Sequence, residues 1–169
     1  MTLVTNASTA EMYGLELDVT WLPTDQLTLR GNLGLLEAEY KDFEFVTAAG
    51  PGDLSHLELR RAPEVFGSLS ATYERQMGSG QAWAVLAWHS IGEYEVDFVN
   101  KPELTNDSQD IVGASLNYAM GPWQFAAFGH NLLDEDAYSI GFDVAGLWSY
   151  ASTRPPRTFG IEASYTFGN

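Results

Sequence analysis

A chain of 169 residues has the length of one domain. Its net charge of −15, with only eight Lys and Arg, is unsuited to nucleic-acid phosphates, and the absence of cysteine excludes a disulfide scaffold or a thiolate metal site. No run approaches the roughly 18 apolar residues of a transmembrane helix, and MTLVTNASTAEM has neither the basic nor the apolar segment of a signal peptide, so a secreted protein would have its true N-terminus upstream.

The elements read as strands. Tyr13, Leu15, Leu17, Val19 and Trp21 alternate with Gly14, Glu16, Asp18 and Thr20, which predicts a strand over 11–22 with one apolar and one polar face. Further strands are expected at 26–41, 63–76, 81–97, 108–120, 122–133 and 157–167. Segment 26–41 has Leu27, Leu29, Leu33 and Leu35 against Thr28, Arg30, Asn32 and Gly34, with Leu36 breaking the pattern. The faces of 81–92 are not assignable, because AWAVLAWHSIG is almost continuously apolar. In 122–130 Trp123, Phe125 and Ala127 share one face, which leaves Phe128 on the other with Gln124 and His130.

The connections alternate in length. Pro23-Thr24-Asp25, Gly78-Ser79-Gly80 and Gly121-Pro122 are tight turns by residue type, and long polar loops are expected at 42–62, 98–107 and 134–156. Strands of about ten residues, with short turns at one end and long loops at the other, are the pattern of an outer-membrane barrel. Aromatics then fall at two levels. Trp21, Tyr73, Trp83, Tyr118, Trp123, Tyr165 and Phe167 lie near the turn end, and Tyr13, Tyr40, Tyr94 and Tyr138 near the loop end. Amphipathic rings gather at membrane interfaces, so these are read as two girdles in preference to the general liking of Tyr and Trp for strands. Segment 1–10 reads as the tail of a loop, which leaves an odd strand count. A membrane barrel must close, and bacterial single-chain barrels have even counts. The fold class expected is therefore all-β: an antiparallel transmembrane β-barrel segment, about seven strands of a larger barrel.

The residues also carry a family resemblance. Gly14-Leu15-Glu16-Leu17, followed by LTLRGNLGLLEAEYKDF, resembles a recurring strand pair of TonB-dependent outer-membrane receptors. Arg61-Ala62-Pro63-Glu64 resembles the family's approach to the next strand. Asn131-Leu132-Leu133-Asp134 followed by Tyr138 resembles its "N-L-x-D-x-x-Y". Arg154-Pro155-Pro156-Arg157-Thr158-Phe159-Gly160 and Tyr165-Thr166-Phe167 resemble its closing "R-P-R" and "Y-x-F" elements, with an extra Pro in the first and Gly168-Asn169 after the second. In order and spacing the likeness spans essentially the whole chain.

The resemblance implies that residues 1–169 are the C-terminal part of a roughly 22-strand receptor barrel, with the plug domain and TonB box absent. It implies uptake across the bacterial outer membrane, energised through TonB, of a scarce ligand: a ferric siderophore, haem, cobalamin or an oligosaccharide. The partners implied are outer-membrane lipid, the plug, the remaining strands and the TonB complex. No enzymatic activity, cofactor or resident metal is implied. One strand face would meet lipid. The other, with Glu16, Asp18, Arg30, Glu74, Gln124, His130 and Glu162, would meet the plug or water. The long loops would help to capture ligand.

Other constellations have plainer readings. Glu93, Glu95 and Asp97 have the spacing of a divalent-cation site but read as a solvated strand extension, as do Glu37 and Glu39. His56, His89 and His130 could ligate iron or haem but lack ligand spacing, and read as one loop and two strand residues. Gly78-Ser79-Gly80 is a hairpin turn with no phosphate-binding Lys after it. Two other architectures fit the alternation: a small stand-alone membrane barrel closing with an eighth strand from 138–150 or by oligomerising, and a soluble lipocalin-like barrel with its apolar face inward.

Overall fold

The computed structural model describes residues 9–47, 50–144 and 146–167. The expected loop tail at 1–10 lies outside the described residues except at Thr9 and Ala10, and so do the terminal Gly168-Asn169. Seven long strands form one antiparallel sheet. They are β1 (Ala10–Thr24), β2 (Leu27–Tyr40), β5 (Val65–Met77), β6 (Gly80–Ile91), β9 (Gln109–Met120), β10 (Trp123–His130) and β13 (Thr158–Tyr165). Their order in the sheet is that of the chain, and β1 and β13 are its two unpaired edges. Three small hairpins rise from the loop end: β3 (Glu44–Thr47) with β4 (Gly50–Asp53), β7 (Tyr94–Glu95) with β8 (Thr105–Asn106), and β11 (Tyr138–Asp143) with β12 (Ser149–Thr153).

Register makes the two faces continuous. Leu17 sits opposite Leu33, Leu33 opposite Gly67, and Gly67 opposite Ser90. Trp21, Leu29, Ala71, Leu86, Ala114 and Gly129 form another such row, which ends on Phe159. Side chains directly opposite share a face, so these residues lie on one apolar surface. Leu17 is 56% exposed and Ile161 89%. The polar face runs from Asp18 through Asn32 and Ser68 to His89. Pairing resolves the ambiguous strand. Ala84, Leu86 and Trp88 join the apolar face, and Trp83, Val85, Ala87 and His89 the polar one.

Several boundaries differ from expectation. The first turn is Asp25-Gln26, with Thr24 Oγ1 accepting from the amides of Gln26 and Leu27, because a register shift between Trp21 and Thr24 carries the strand past Pro23. The turns at Gly78 and Gly121 place φ at 63° and 56°, the left-handed region that glycine enters without strain. The strand expected over 81–97 stops at Ile91, and Tyr94–Glu95 pairs instead with Thr105–Asn106. The strand expected to 133 stops at His130, since Asn131 takes φ 49°. No eighth strand enters the sheet from 138–150 among the described residues, because β11 pairs with β12.

Two rings lie flat on the polar face. A Cβ at Gly34 would sit 2.2 Å from Cζ of Phe66 on the next strand, and one at Gly160 would sit 2.3 Å from Cζ of Phe128. Each ring covers backbone that the neighbouring glycine leaves bare, an arrangement that fixes register. Gly34→Val is expected to lift Phe66 and to lower stability by about 1–3 kcal/mol. Urea unfolding in detergent would measure this, and the double variant with Phe66→Ala should recover part of the loss.

Candidate functional site: the loop cluster above the sheet

The fully buried apolar residues lie outside the long strands. Phe43, Tyr94, Val96, Leu104 and Ala137 all belong to the three excursions at the loop end. Phe43 packs against Tyr40, with ring centroids 4.6 Å apart, and faces Phe45 and Phe98, which meet edge-on at 4.9 Å. Leu104 and Val96 meet Gly141, where an added Cβ would lie 3.0 and 3.2 Å from them. The segments read as polar loops, together with the end of the strand expected over 81–97, thus pack against one another.

Side chains bonded to backbone hold this cluster together. The Asn100 carboxamide accepts from the amide of Glu58 at 2.6 Å and donates to its carbonyl at 3.1 Å. The Asn106 carboxamide does the same for Tyr138, at 2.8 and 2.9 Å. Arg61 donates its amide to the Glu95 carbonyl and its guanidinium to the Ser139 carbonyl. Arg154 donates to the Tyr94 hydroxyl at 2.8 Å. A buried polar group without a partner is costly, and each carboxamide here satisfies a donor and an acceptor of a neighbouring excursion.

The motif residues form the hinge of the last excursion. Asn131 and Asp134 adopt left-handed φ of 49° and 63°, which Asn and Asp tolerate best after glycine. The Asn131 carboxamide brackets Glu135, donating to its carbonyl at 2.8 Å and accepting from its amide at 2.9 Å. Leu132 donates its amide to Val112, which ties the turn to β9. The Asp134 carboxylate meets the Arg157 guanidinium at 2.8 Å and accepts from the Arg157 amide at 3.3 Å. The excursion therefore closes where it opened. The ion pair is exposed and contributes little Coulomb energy; its effect is to fix geometry.

Glu93, Glu95 and Asp97 do not continue β6; Glu95 belongs to β7. Asp97 is 1% exposed and accepts from the amides of Phe98 at 2.9 Å and Asp143 at 3.1 Å. It was read as solvated because charge runs on strands usually are; here the chain leaves the sheet at Gly92 and folds Asp97 under β11. Burial raises the Glu95 carboxyl above its ordinary range, and Glu58, Glu93 and Asp97 add to this, against the Thr105 hydroxyl that bonds it. Glu37 and Glu39 stand on the upper part of β2, with Lys41 paired to Glu39 and to Glu11. His89 and His130 are strand residues on the polar face, His56 is in the first excursion, and no group of three His, Cys, Asp or Glu could hold a metal among the described residues.

The aromatics divide unequally. Trp21, Tyr73, Tyr118, Trp123 and Tyr165 share the apolar face near the turn end, with Tyr165 packed edge-on to Trp123 and to Phe167. Trp83, grouped with them by position, faces the polar side opposite Glu74 and Asn117. At the loop end Tyr13 stays on the apolar face, but Tyr40 turns to the polar side and stacks on Phe43, Tyr94 is buried, and Tyr138 begins β11. Distance from a turn along the chain does not tell which face these rings occupy; pairing does. Glu16, Asp18, Arg30, Glu74, Gln124, His130 and Glu162 all lie on the polar face as expected.

A sheet of this kind, two-faced, with tight turns below and packed excursions above, is a segment of barrel wall. Solved structures of uptake receptors contain it. The chain matches the ferric yersiniabactin uptake receptor FyuA from Yersinia pestis at a TM-score of 0.80 and 20% identity, over 96% of this chain and 24% of that one. It matches the siderophore receptor PiuA from Acinetobacter baumannii at 0.71 and 18% identity, over 91% of this chain and 21% of that one. The ferric-catecholate import receptor Fiu of E. coli K12 matches at 0.64 and 21% identity, over 94% of this chain and 21% of that one. The fold is thus that of a portion of the barrel of such uptake receptors, and the chain spans about a quarter of the length of the receptors it matches. No protein-family model matches the sequence.

Two outcomes follow from the cluster's geometry. Gly141→Leu should push β11 off Val96 and Leu104 and expose the Asp143 amide, which hydrogen exchange would register as faster exchange there with the sheet unchanged. Glu95 destabilises the cluster when ionised. Its contribution is fully present below the ordinary carboxylate range and is lost as pH rises through its raised folded value. The amide of Arg61, which donates to the Glu95 carbonyl, should then be better protected in acid than at neutral pH, after correction for intrinsic exchange. Glu95→Gln should abolish that difference.

Proposed function

We propose that this chain is part of the barrel of a TonB-energised outer-membrane importer of a scarce ligand. A ferric siderophore is the foremost class, with haem, cobalamin and oligosaccharides as the others. The observation that carries the reading is the two-faced seven-stranded sheet, which matches uptake receptors over nearly all of its length. Its strands run from 8 to 15 residues, against about 9–11 for a tilted crossing of a bilayer. The apolar face would meet lipid, and Trp21, Tyr73, Tyr118, Trp123, Tyr165 and Phe167 would sit at the periplasmic interface, where one edge of each ring can stay wet.

The polar face would meet the plug. Along the strands it carries Glu16, Asp18, Glu74 and Glu162 against Arg30, and none of the ion pairs among the described residues lies on it. Such a wall suits a plug surface with basic side chains. The motif residues Asn131, Leu132, Asp134, Tyr138 and Arg157 would serve by closing the last extracellular loop and not by touching ligand.

Topology in cells tests the reading. These 169 residues contain no cysteine, so each introduced cysteine is read against the same protein without it. Leu147→Cys, at the exposed end of the β11–β12 hairpin, should react with an impermeant maleimide on intact cells. Ser79→Cys, in a tight turn, should react only after the outer membrane is opened. Equal labelling of both on intact cells, or of neither, would sink the assignment. Importer function is tested by deleting the gene and measuring uptake across a panel of ferric chelates, haem, cobalamin and oligosaccharides; loss of one is expected, and unchanged uptake of all would refute it.

The face assignment makes a second prediction. Leu17→Arg, in the middle of the apolar face, should cost about 2–4 kcal/mol in lipid vesicles, as expected for a cation at the bilayer midplane. Asn32→Arg, opposite the adjacent Asp18 on the polar face, should cost far less. Denaturant titration of the vesicle-inserted protein would compare the two.

A further inference from the structure

The β11–β12 hairpin has two faces of different character. Gly141 packs on Val96 and Leu104, and the amide of Asp143 is held by the Asp97 carboxylate. The opposite face carries Ile140, Phe142, Tyr150 and Trp148. The Phe142 ring lies 5.3 Å from that of Tyr150 and 6.2 Å from that of Trp148. All three stay open, with 41%, 46% and 55% exposure. Single exposed apolar side chains are ordinary, but a contiguous cluster marks an interaction surface.

Charge decides what the surface fits. Behind the rings lie three carboxylates and one ammonium. Asp97 bonds the Asp143 amide, Lys101 stands 3.9 Å from the Asp143 carboxylate, and Glu103 accepts from the hydroxyl of Ser149, which is paired with Asp143. Two guanidinium groups reach the other end of the hairpin, where Arg61 is bound to the Ser139 carbonyl and Arg154 to the Tyr94 hydroxyl. The ring faces are negative by their quadrupoles. A cation over them gains from the rings and from the carboxylates within a Debye length, and an anion gains from neither.

We propose that this face binds a small organic cation with an apolar body, such as a quaternary or protonated amine. The site needs only the folded loop cluster and not the importer reading, so either can fail without the other.

The test uses benzyltrimethylammonium, with phenylmethanesulfonate as a probe of similar shape and opposite charge, titrated into the detergent-solubilised chain. Binding is read by saturation-transfer NMR on the probe and by quenching of the Trp148 signal, taken as the difference between the protein and Trp148→Phe. The cation should bind saturably and more weakly as salt is raised, with the sulfonate at least about fivefold weaker. Phe142→Leu with Tyr150→Leu keeps apolar bulk and removes the ring faces, and should weaken the cation about fivefold or more. Glu103→Gln should weaken it by a smaller factor. Protection of the Asp143 amide shows whether each variant keeps the hairpin. Equal binding of the two probes, undiminished binding to the leucine variant, or no saturable binding to a protein whose Asp143 amide is protected would overturn the proposal.

Discussion

Each long strand can satisfy its backbone only through its two neighbours in the sheet, and this constraint organises everything else. Pairing fixes register, and register fixes face, because a slip of one residue would turn every side chain over. The chain contains a direct example. Trp83 and Trp88 stand five residues apart on β6 and emerge on opposite faces, Trp83 beside Glu74 and Asn117, and Trp88 beside Leu69 and Val112. Nothing in the two residues distinguishes them; their strand partners do. The glycines at 34 and 160 serve the same constraint, since each leaves room for a ring that could lie there in only one register.

The same constraint separates two sources of stability. The sheet hides almost none of its large apolar side chains from its surroundings, so its cohesion in this chain is the backbone ladder and cross-strand contact. The loop cluster is built in the opposite way. Val96, Leu104 and Phe43 are withdrawn from water, and the buried side chains of Asp97, Asn106 and Asn131 are bonded to backbone, while Gln109 donates to the Asp107 carbonyl and leaves its Oε1 without a partner among the described residues. One half of the molecule depends on what lies against its apolar face. The other is an ordinary hydrophobic core in miniature, which makes the excursions a joined body and not three independent flaps.

The division also explains what could be read from the sequence. Strands with a clean period of two, such as 11–22 and 157–167, were legible because the pattern is local, and so were the tight turns at Gly78 and Gly121. The faces of 81–92 were not, because Ala and Trp occur on both sides and only the neighbouring strands decide. The loop core was illegible for a stronger reason. Phe43, Val96, Leu104 and Ala137 come from three separate excursions, and only Val96 sits in a periodic run, the alternation of 93–98 that reads as a strand extension. Polar composition disguises Phe43, Leu104 and Ala137 as loop residues, and the alternation around Val96 disguises Asp97 as a solvated charge. The motif around Asn131 and Asp134 was visible as a resemblance, but its physical content, two left-handed residues and a carboxamide bracket, needs the backbone to be seen.

Strand direction sets a last condition on how the sheet can be completed. Seven strands joined by consecutive hairpins leave both edges, β1 and β13, running from the loop end to the turn end. Pairing them with each other would be parallel. So would pairing an edge with either edge of another copy inserted with the same sidedness, because every available edge then points the same way. An antiparallel wall can continue from β1 or β13 only onto a strand running from the turn end to the loop end. A set of strands that presents such a strand at both of its own edges contains an odd number of them. Closure of this sheet as an antiparallel barrel would therefore require a complement of odd count, which copies of these seven strands cannot supply at their edges however many are added.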